Sequence, residues 1–137
     1  MAEIKHLLVI NAPAKKVFRA IADQDGLAGW WTRRVSAMPE VDSIAEFRFG
    51  DRYHNKMRIK QLIPDKLIQW ECEAGDDEWI GTTFIFDLEE KNDATTLRFT
   101  HGKWRNDSDF FASCNYHWGH YMKSLKSYCE SGQGEPF

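Results

Sequence analysis

The residues of this chain that could do chemistry are few, and three of them sit on one apolar stripe. His101 follows Leu97 and Phe99 in alternating phase. It therefore points to the same dry face of a strand. An imidazole there can orient a polar group or exchange a proton, and a nearby hydroxyl or carbonyl would satisfy it equally well. His117 and His120 stand three residues apart on a helical stretch, a spacing at which two imidazoles can share a metal. On the helical wheel both fall off the apolar arc, and no carboxylate or thiol accompanies them, so they read as a solvated flank. Cys114 lies at the centre of the apolar arc with no activating partner and reads as a small apolar residue. Tyr121 and Tyr128 are on that arc too, and each hydroxyl needs a partner when buried; Tyr121 could give its hydrogen to a ligand. The acid-rich Gly75-Asp76-Asp77-Glu78 lacks the oxygen spacing and closing glutamate of a calcium loop and reads as a solvated turn. There is no phosphate loop, nucleophile elbow or zinc knuckle. An enzyme needs two or more convergent polar groups, and the sequence offers only His101 and Tyr121. The reading leans to a non-enzymatic protein, with no catalytic residue, metal or cofactor assigned.

These residues must be positioned by a long helix and a sheet. From Asp107 to Glu130, Phe110, Phe111, Cys114, Trp118, Tyr121, Met122, Leu125, Tyr128 and Cys129 fall within an arc of about 120° at helical spacing. Asp107 or Ser108 can cap the start and Gly132 can end the helix. At the other end of the chain, Ile4 to Ile10 reads as a strand. Pro13 suits a helix first turn, and Val17, Phe18, Ala20 and Ile21 recur at helical spacing. Asp23-Gln24-Asp25-Gly26 breaks that helix, and Leu27 to Trp31 forms a second short one. From Arg34 to about Lys103 the period is two: Ala45, Phe47, Phe49; Met57, Ile59; Ile68, Trp70, Cys72; Phe84, Phe86, Leu88; and Leu97, Phe99, His101 alternate with polar residues. Such alternation marks an antiparallel sheet with one dry and one wet face. Short turns at Gly50-Asp51, Pro64-Asp65-Lys66, Gly75-Asp76-Asp77 and Lys91 to Ala94 predict consecutive hairpins. The dry face needs a cover, and the 107–130 helix is long enough to supply it. The tail from Ser131 to Phe137 is expected to be mobile.

The bulk numbers set the class. The 137 residues predict a single domain over 1–137. A net charge of -3, from 18 basic and 21 acidic residues, gives no nucleic-acid phosphate surface. Cys72, Cys114 and Cys129 are an odd number without metal spacing, which suits buried thiols in a reducing cytoplasm. No signal peptide and no membrane span are read in the sequence. The aromatic share is 14%, with six tryptophans, enough to line a pocket as well as fill a core.

The order of elements and three local motifs resemble the SRPBCC, or START-like, superfamily. Within it the chain is similar to the branch of homologues of the activator of heat-shock protein 90 ATPase. The motifs are Ala12-Pro13-Ala14-Lys15-Lys16-Val17-Phe18-Arg19-Ala20-Ile21 followed by Leu27 and Trp30-Trp31; Ile68-Gln69-Trp70; and Trp118-Gly119-His120-Tyr121-Met122-Lys123-Ser124-Leu125-Lys126. The resemblance covers almost the whole chain. It implies an α+β helix-grip fold: a curved antiparallel sheet of about seven strands wrapped around a long C-terminal helix, with two short helices between strands one and two. It also implies a cavity between that helix and the sheet, while the chemistry differs from branch to branch. The activator proper carries a separate N-terminal domain that 137 residues are expected not to accommodate. The expected cavity walls are Phe47, Phe49, Met57, Ile59, Trp70, Phe84, Phe86, Phe99 and His101 from the sheet and Cys114, Trp118, Tyr121 and Met122 from the helix. Trp30 and Trp31 stand near one mouth. Such walls suit a small hydrophobic ligand; the same side chains could instead close into a filled core. A co-chaperone-like interaction module and a cyclase or hydrolase-like enzyme are the alternatives. The expected assembly is a monomer or homodimer.

Overall fold

A computed structural model describes residues 2–137. The alternating segments form strands and the helical ones form helices, in the order β1 (Ala2–Ile10), α1 (Ala14–Ala22), α2 (Gln24–Trp30), β2 (Arg34–Ser36), β3 (Ile44–Phe49), β4 (Tyr53–Ile63), β5 (Leu67–Ala74), β6 (Thr83–Lys91), β7 (Ala94–Trp104) and α3 (Asp109–Ser131). The strands make one seven-stranded sheet in the order β1-β7-β6-β5-β4-β3-β2, antiparallel throughout. Strands β2 to β7 follow the meander that short turns require. Only β1 departs from it, returning to pair with β7. The fold is the α+β helix-grip arrangement.

Register sets which side chains share the dry face. Ile59 lies opposite Trp70, Trp70 opposite Phe84, and Phe84 opposite His101. One row of large side chains thus crosses four strands. A neighbouring row joins Ile68, Phe86 and Phe99. All are buried. All but His101 belong to one apolar cluster with the inner faces of the three helices.

Helix α3 follows its sequence closely. The Ser108 hydroxyl accepts the Phe111 N–H, which satisfies one of the unpaired donors of the first turn. Gly132 takes a left-handed conformation, φ 84°, that ends the helix. Cys114, Trp118, Met122, Leu125 and Cys129 are buried along one stripe, while Phe110, Phe111, Tyr121 and Tyr128 lie half-buried at its margins. Helices α1 and α2 pack beside it. The Ala14 N–H at the start of α1 is capped by Glu90 Oε1 at 2.7 Å. Gly29 of α2 leaves room for the Tyr128 ring: a Cβ there would stand 2.2 Å from Tyr128 Cε1.

The tail corrects the expectation of mobility. Ser124 is buried in α3, where its hydroxyl donates to the Trp30 carbonyl at 2.8 Å and accepts the Glu135 N–H at 2.6 Å. The Phe137 N–H then donates to the Trp31 carbonyl at 2.8 Å, and its ring meets Phe49 edge-on at 5.7 Å. The segment is held by backbone groups that would otherwise need water. Among the described residues, no helix is long and apolar enough to cross a membrane.

Candidate functional site

Most of the helix–sheet interface is solid. At one end it opens into a cavity of about 540 Å³. The N-terminal half of α3 contributes Phe110, Ser113, Cys114, His117, Trp118 and Tyr121. The end of β3 and the start of β4 contribute Phe49, Arg52, Tyr53 and Asn55. The 75–82 loop contributes Asp76 and Trp79, and Trp31 and Phe137 complete the wall. Exposed Arg52, Ser113, His117 and Phe137 belong to this lining, and buried Trp31, Asn55, Trp79, Cys114 and Trp118 form its depth.

The 75–82 loop is a built wall, where the sequence suggested a solvated turn. Asp76 Oδ1 accepts the Glu78 N–H at 2.9 Å. Glu78 in turn takes the Ser108 hydroxyl hydrogen at 2.5 Å, tying the loop to the start of α3. Arg105 donates to the Ile80 carbonyl at 2.9 Å and to the Asp77 carbonyl. These bonds drive Trp79 inward, where it meets Phe84 at 5.3 Å and lies nearly parallel to Trp118 at 6.4 Å. Gly75 is required at the loop's start. Its φ is 141°, and a Cβ there would fall 2.3 Å from Asn55 Oδ1; the missing side chain lets the Asn55 carboxamide lie against the turn.

The expected wall residues divide in two. Trp31, Phe49, Cys114, Trp118 and Tyr121 reach the cavity. Trp30, Phe47, Met57, Ile59, Trp70, Phe84, Phe86, Phe99, His101 and Met122 do not; they pack against one another behind it, each 5% exposed or less. The reason is ring-on-ring filling. Trp31 contacts Phe47 at 4.5 Å, Trp118 at 5.2 Å and Trp70 at 5.7 Å, and Phe99 meets Trp118 at 4.4 Å. The tryptophans occupy the space that the alternating strands alone would leave open.

His101 lies under this layer. Its Nδ1 accepts the Trp118 indole N–H at 3.1 Å, and its Nε2 lies 2.9 Å from the Thr82 hydroxyl. That hydroxyl donates to the Trp79 carbonyl at 2.6 Å. Both ring nitrogens are therefore engaged inside the protein, and burial holds its pKa well below the usual histidine value. Cys114 is at the wall, but burial pushes its thiol up to about 11, which leaves it protonated and a poor nucleophile at neutral pH. Burial also raises the pKa of Tyr121. His117 Nδ1 donates to the Ser113 carbonyl at 2.8 Å, while His120 turns to Glu135, 3.8 Å away. The two histidines face different partners, and among the described residues no three side chains are grouped to hold a metal.

Arg52, Tyr53, Asn55, Asp76, Trp79, Phe110, Ser113, His117 and Phe137 are wall residues that sequence reasoning left out of the site. One signal for them was present: a tryptophan inside an acidic turn has no reason to be there unless it packs. Asn55 carried a weaker one, since it stands in phase with Met57 and Ile59 on a dry face.

Residues 11–130 match the sequence model of a family described as activator of Hsp90 ATPase homolog 1-like protein. No curated protein matches the chain. Among solved structures, the solution structure of the Aha1 dimer from Colwellia psychrerythraea is 37% identical, with a TM-score of 0.89 over 98% of this chain and 100% of that one. Protein SSP2350 from Staphylococcus saprophyticus is 19% identical, with a TM-score of 0.80 over 98% of this chain and 96% of that one. Protein MLL2253 from Mesorhizobium loti is 16% identical, with a TM-score of 0.81 over 92% and 95%. The last two share the fold.

Proposed function

The chain belongs to the activator of Hsp90 ATPase homolog 1-like family, and from that premise we propose that it binds one small, flat, largely apolar molecule in the cavity at the N-terminal end of α3. The observation that carries this reading is the cavity itself. Its volume of about 540 Å³ is in the range of small-molecule sites. Its wall is mostly aromatic, in a molecule whose remaining interior is closely packed. Flat rings stack well on such walls at low entropic cost.

The reading favours binding over catalysis. Of the two polar groups that the sequence singled out, His101 is sealed beneath Trp118 and its nitrogens are occupied. Of that pair, only Tyr121 reaches the cavity. A reducing compartment such as the cytoplasm suits the three free, buried cysteines.

Naphthalene and related bicyclic aromatics are the first probes, with binding followed by calorimetry and thermal unfolding. A ligand well above its Kd stabilises the folded state by about 2.7 kcal/mol at 100 Kd, a rise of several degrees in Tm. Ser113→Trp, on an exposed part of the wall, should fill the cavity and remove the effect. The absence of any shift across a broad panel would sink the reading.

Self-association is a second property we propose. Strand β1 is an edge of the sheet, and its outward Leu7 and Val9 are 71% and 52% exposed. Exposed apolar side chains on an edge strand of this kind invite a partner, and the Colwellia psychrerythraea relative is a dimer.

A further inference from the structure

At the β2 edge of the sheet, three arginines surround a second concave surface. Strands β2 and β3 form a cleft of about 280 Å³ lined by Arg33, Arg34 and Arg48 with Ser36 and Glu46. All three arginines are exposed. Register sets Arg34 directly opposite Arg48, and like charges so placed repel. Two further bonds fix the backbone that carries them. The buried Thr32 hydroxyl donates to the Arg48 carbonyl at 2.6 Å, and the Arg33 N–H donates to the Phe137 carbonyl at 3.3 Å. The protein does not answer these charges itself. Arg58 and Arg98 have close carboxylate partners in Glu73 and Glu89, at 2.5 Å and 2.9 Å. Among the described residues Arg33 and Arg48 have no ion-pair partner. Arg34 has only the Gly50 carbonyl at 3.5 Å and the fully exposed Asp51 at 3.9 Å. Glu46, the acid of the cleft, is turned to β4: its Oε1 accepts from His54 Nε2 at 2.9 Å and lies 3.8 Å from Lys56 Nζ.

We propose that this cleft binds the phosphate group of a small phosphate ester, held by the Arg34 and Arg48 guanidinium groups, with Arg33 adding charge and the Ser36 hydroxyl a further donor. A dianion removes the repulsion between the opposed arginines. Its several oxygens accept from more than one planar fork at once, whereas one fork satisfies a carboxylate. The cleft shares no lining residue with the aromatic cavity, so the inference stands apart from the reading of that cavity.

Inorganic phosphate, glycerol 3-phosphate and acetate are titrated into the whole chain at about pH 8, where the phosphates are dianionic, at constant low ionic strength, and followed by amide NMR shifts. Both phosphates should bind, with shifts concentrated on β2 and β3, and acetate should bind about tenfold more weakly. Added salt should weaken the binding. Arg48→Gln should weaken it by about fivefold, the scale of one exposed ionic contact, without lowering Tm, since it also removes a like-charge opposition. Arg48→Lys keeps the charge but not the fork and should remain weaker than the parent. Lys60→Gln, an exposed change of equal charge on β4 outside the cleft, should leave the affinity within about twofold. Equal weakening by Arg48→Gln and Lys60→Gln, or acetate bound as tightly as phosphate, would reduce the effect to general charge attraction and overturn the inference. No binding of either phosphate would overturn it outright. Flotation with vesicles of phosphatidylcholine and phosphatidic acid separates the two sources of the group: capture there without binding of glycerol 3-phosphate would overturn the small-molecule ligand in favour of a lipid headgroup.

Discussion

An indole N–H can only donate, so the Trp118–His101 bond places a lone pair on Nδ1 and the imidazole proton on Nε2. The Thr82 hydroxyl spends its hydrogen on the Trp79 carbonyl and accepts that proton. The relay is complete only with a neutral histidine, and burial lowers the His101 pKa well below 6.5. The sign follows from linkage. Above the unfolded value of 6.5, His101 is neutral in both states and contributes no pH dependence. As pH falls through that value the unfolded chain takes up a proton and the folded one does not. Stability then drops by up to about 1.4 kcal/mol per pH unit until the folded pKa is reached. Urea unfolding at several values between about pH 7.5 and pH 5 should show this loss. His101→Gln, which can still accept from Trp118 and donate to Thr82, should flatten the slope. An unchanged slope in that variant would place the proton uptake elsewhere. The inward direction of His101 was legible from its phase with Phe99. Its partners were not, because Trp79, Thr82 and Trp118 come from other segments.

At the scale of elements, α3 was legible almost residue by residue. Ser108, Gly132 and the stripe through Cys114, Trp118, Met122, Leu125 and Cys129 are local signals of helical period, and local signals survive folding. Ser124 was missed because a serine among apolar neighbours carries no period of its own. Its importance lies in joining α3 to Trp30 and to the tail through two buried hydrogen bonds. Ser124→Ala leaves the Trp30 carbonyl and the Glu135 N–H to find other partners and should cost about 1–3 kcal/mol, measured by chemical denaturation. A change within experimental error would show that the tail contributes nothing through this contact. The tail's place was illegible for the same reason: Gly134, Pro136 and Phe137 read as a flexible end until Trp31 and Ser124 are brought alongside.

For the molecule as a whole, the exposed β1 edge and the cavity lie on different elements, so pairing and binding can be tested separately. Sedimentation over a range of concentrations should show self-association, and Leu7→Lys with Val9→Lys should shift it toward monomer, since charge on an edge strand blocks pairing. The double variant should keep its affinity for aromatic probes. A monomer at every concentration would remove the dimer from consideration. If the double variant also lost the cavity ligand, the two sites would be coupled through β1.

The pattern of apolar residues determined by itself the order of elements, the dry face of the sheet, the helix that covers it and the caps that bound that helix. These follow from periods of 2 and 3.6 residues and from turn chemistry, which act within a few residues of sequence. Only the tertiary structure decided where the interface is filled and where it opens. That outcome depends on how side-chain volumes from distant segments meet. Trp31, Trp70 and Trp118 stack into the centre and close it. At one end of α3, the loop held by Arg105 and Ser108 sets Trp79 beside Trp118 and leaves a space between loop, sheet end and helix.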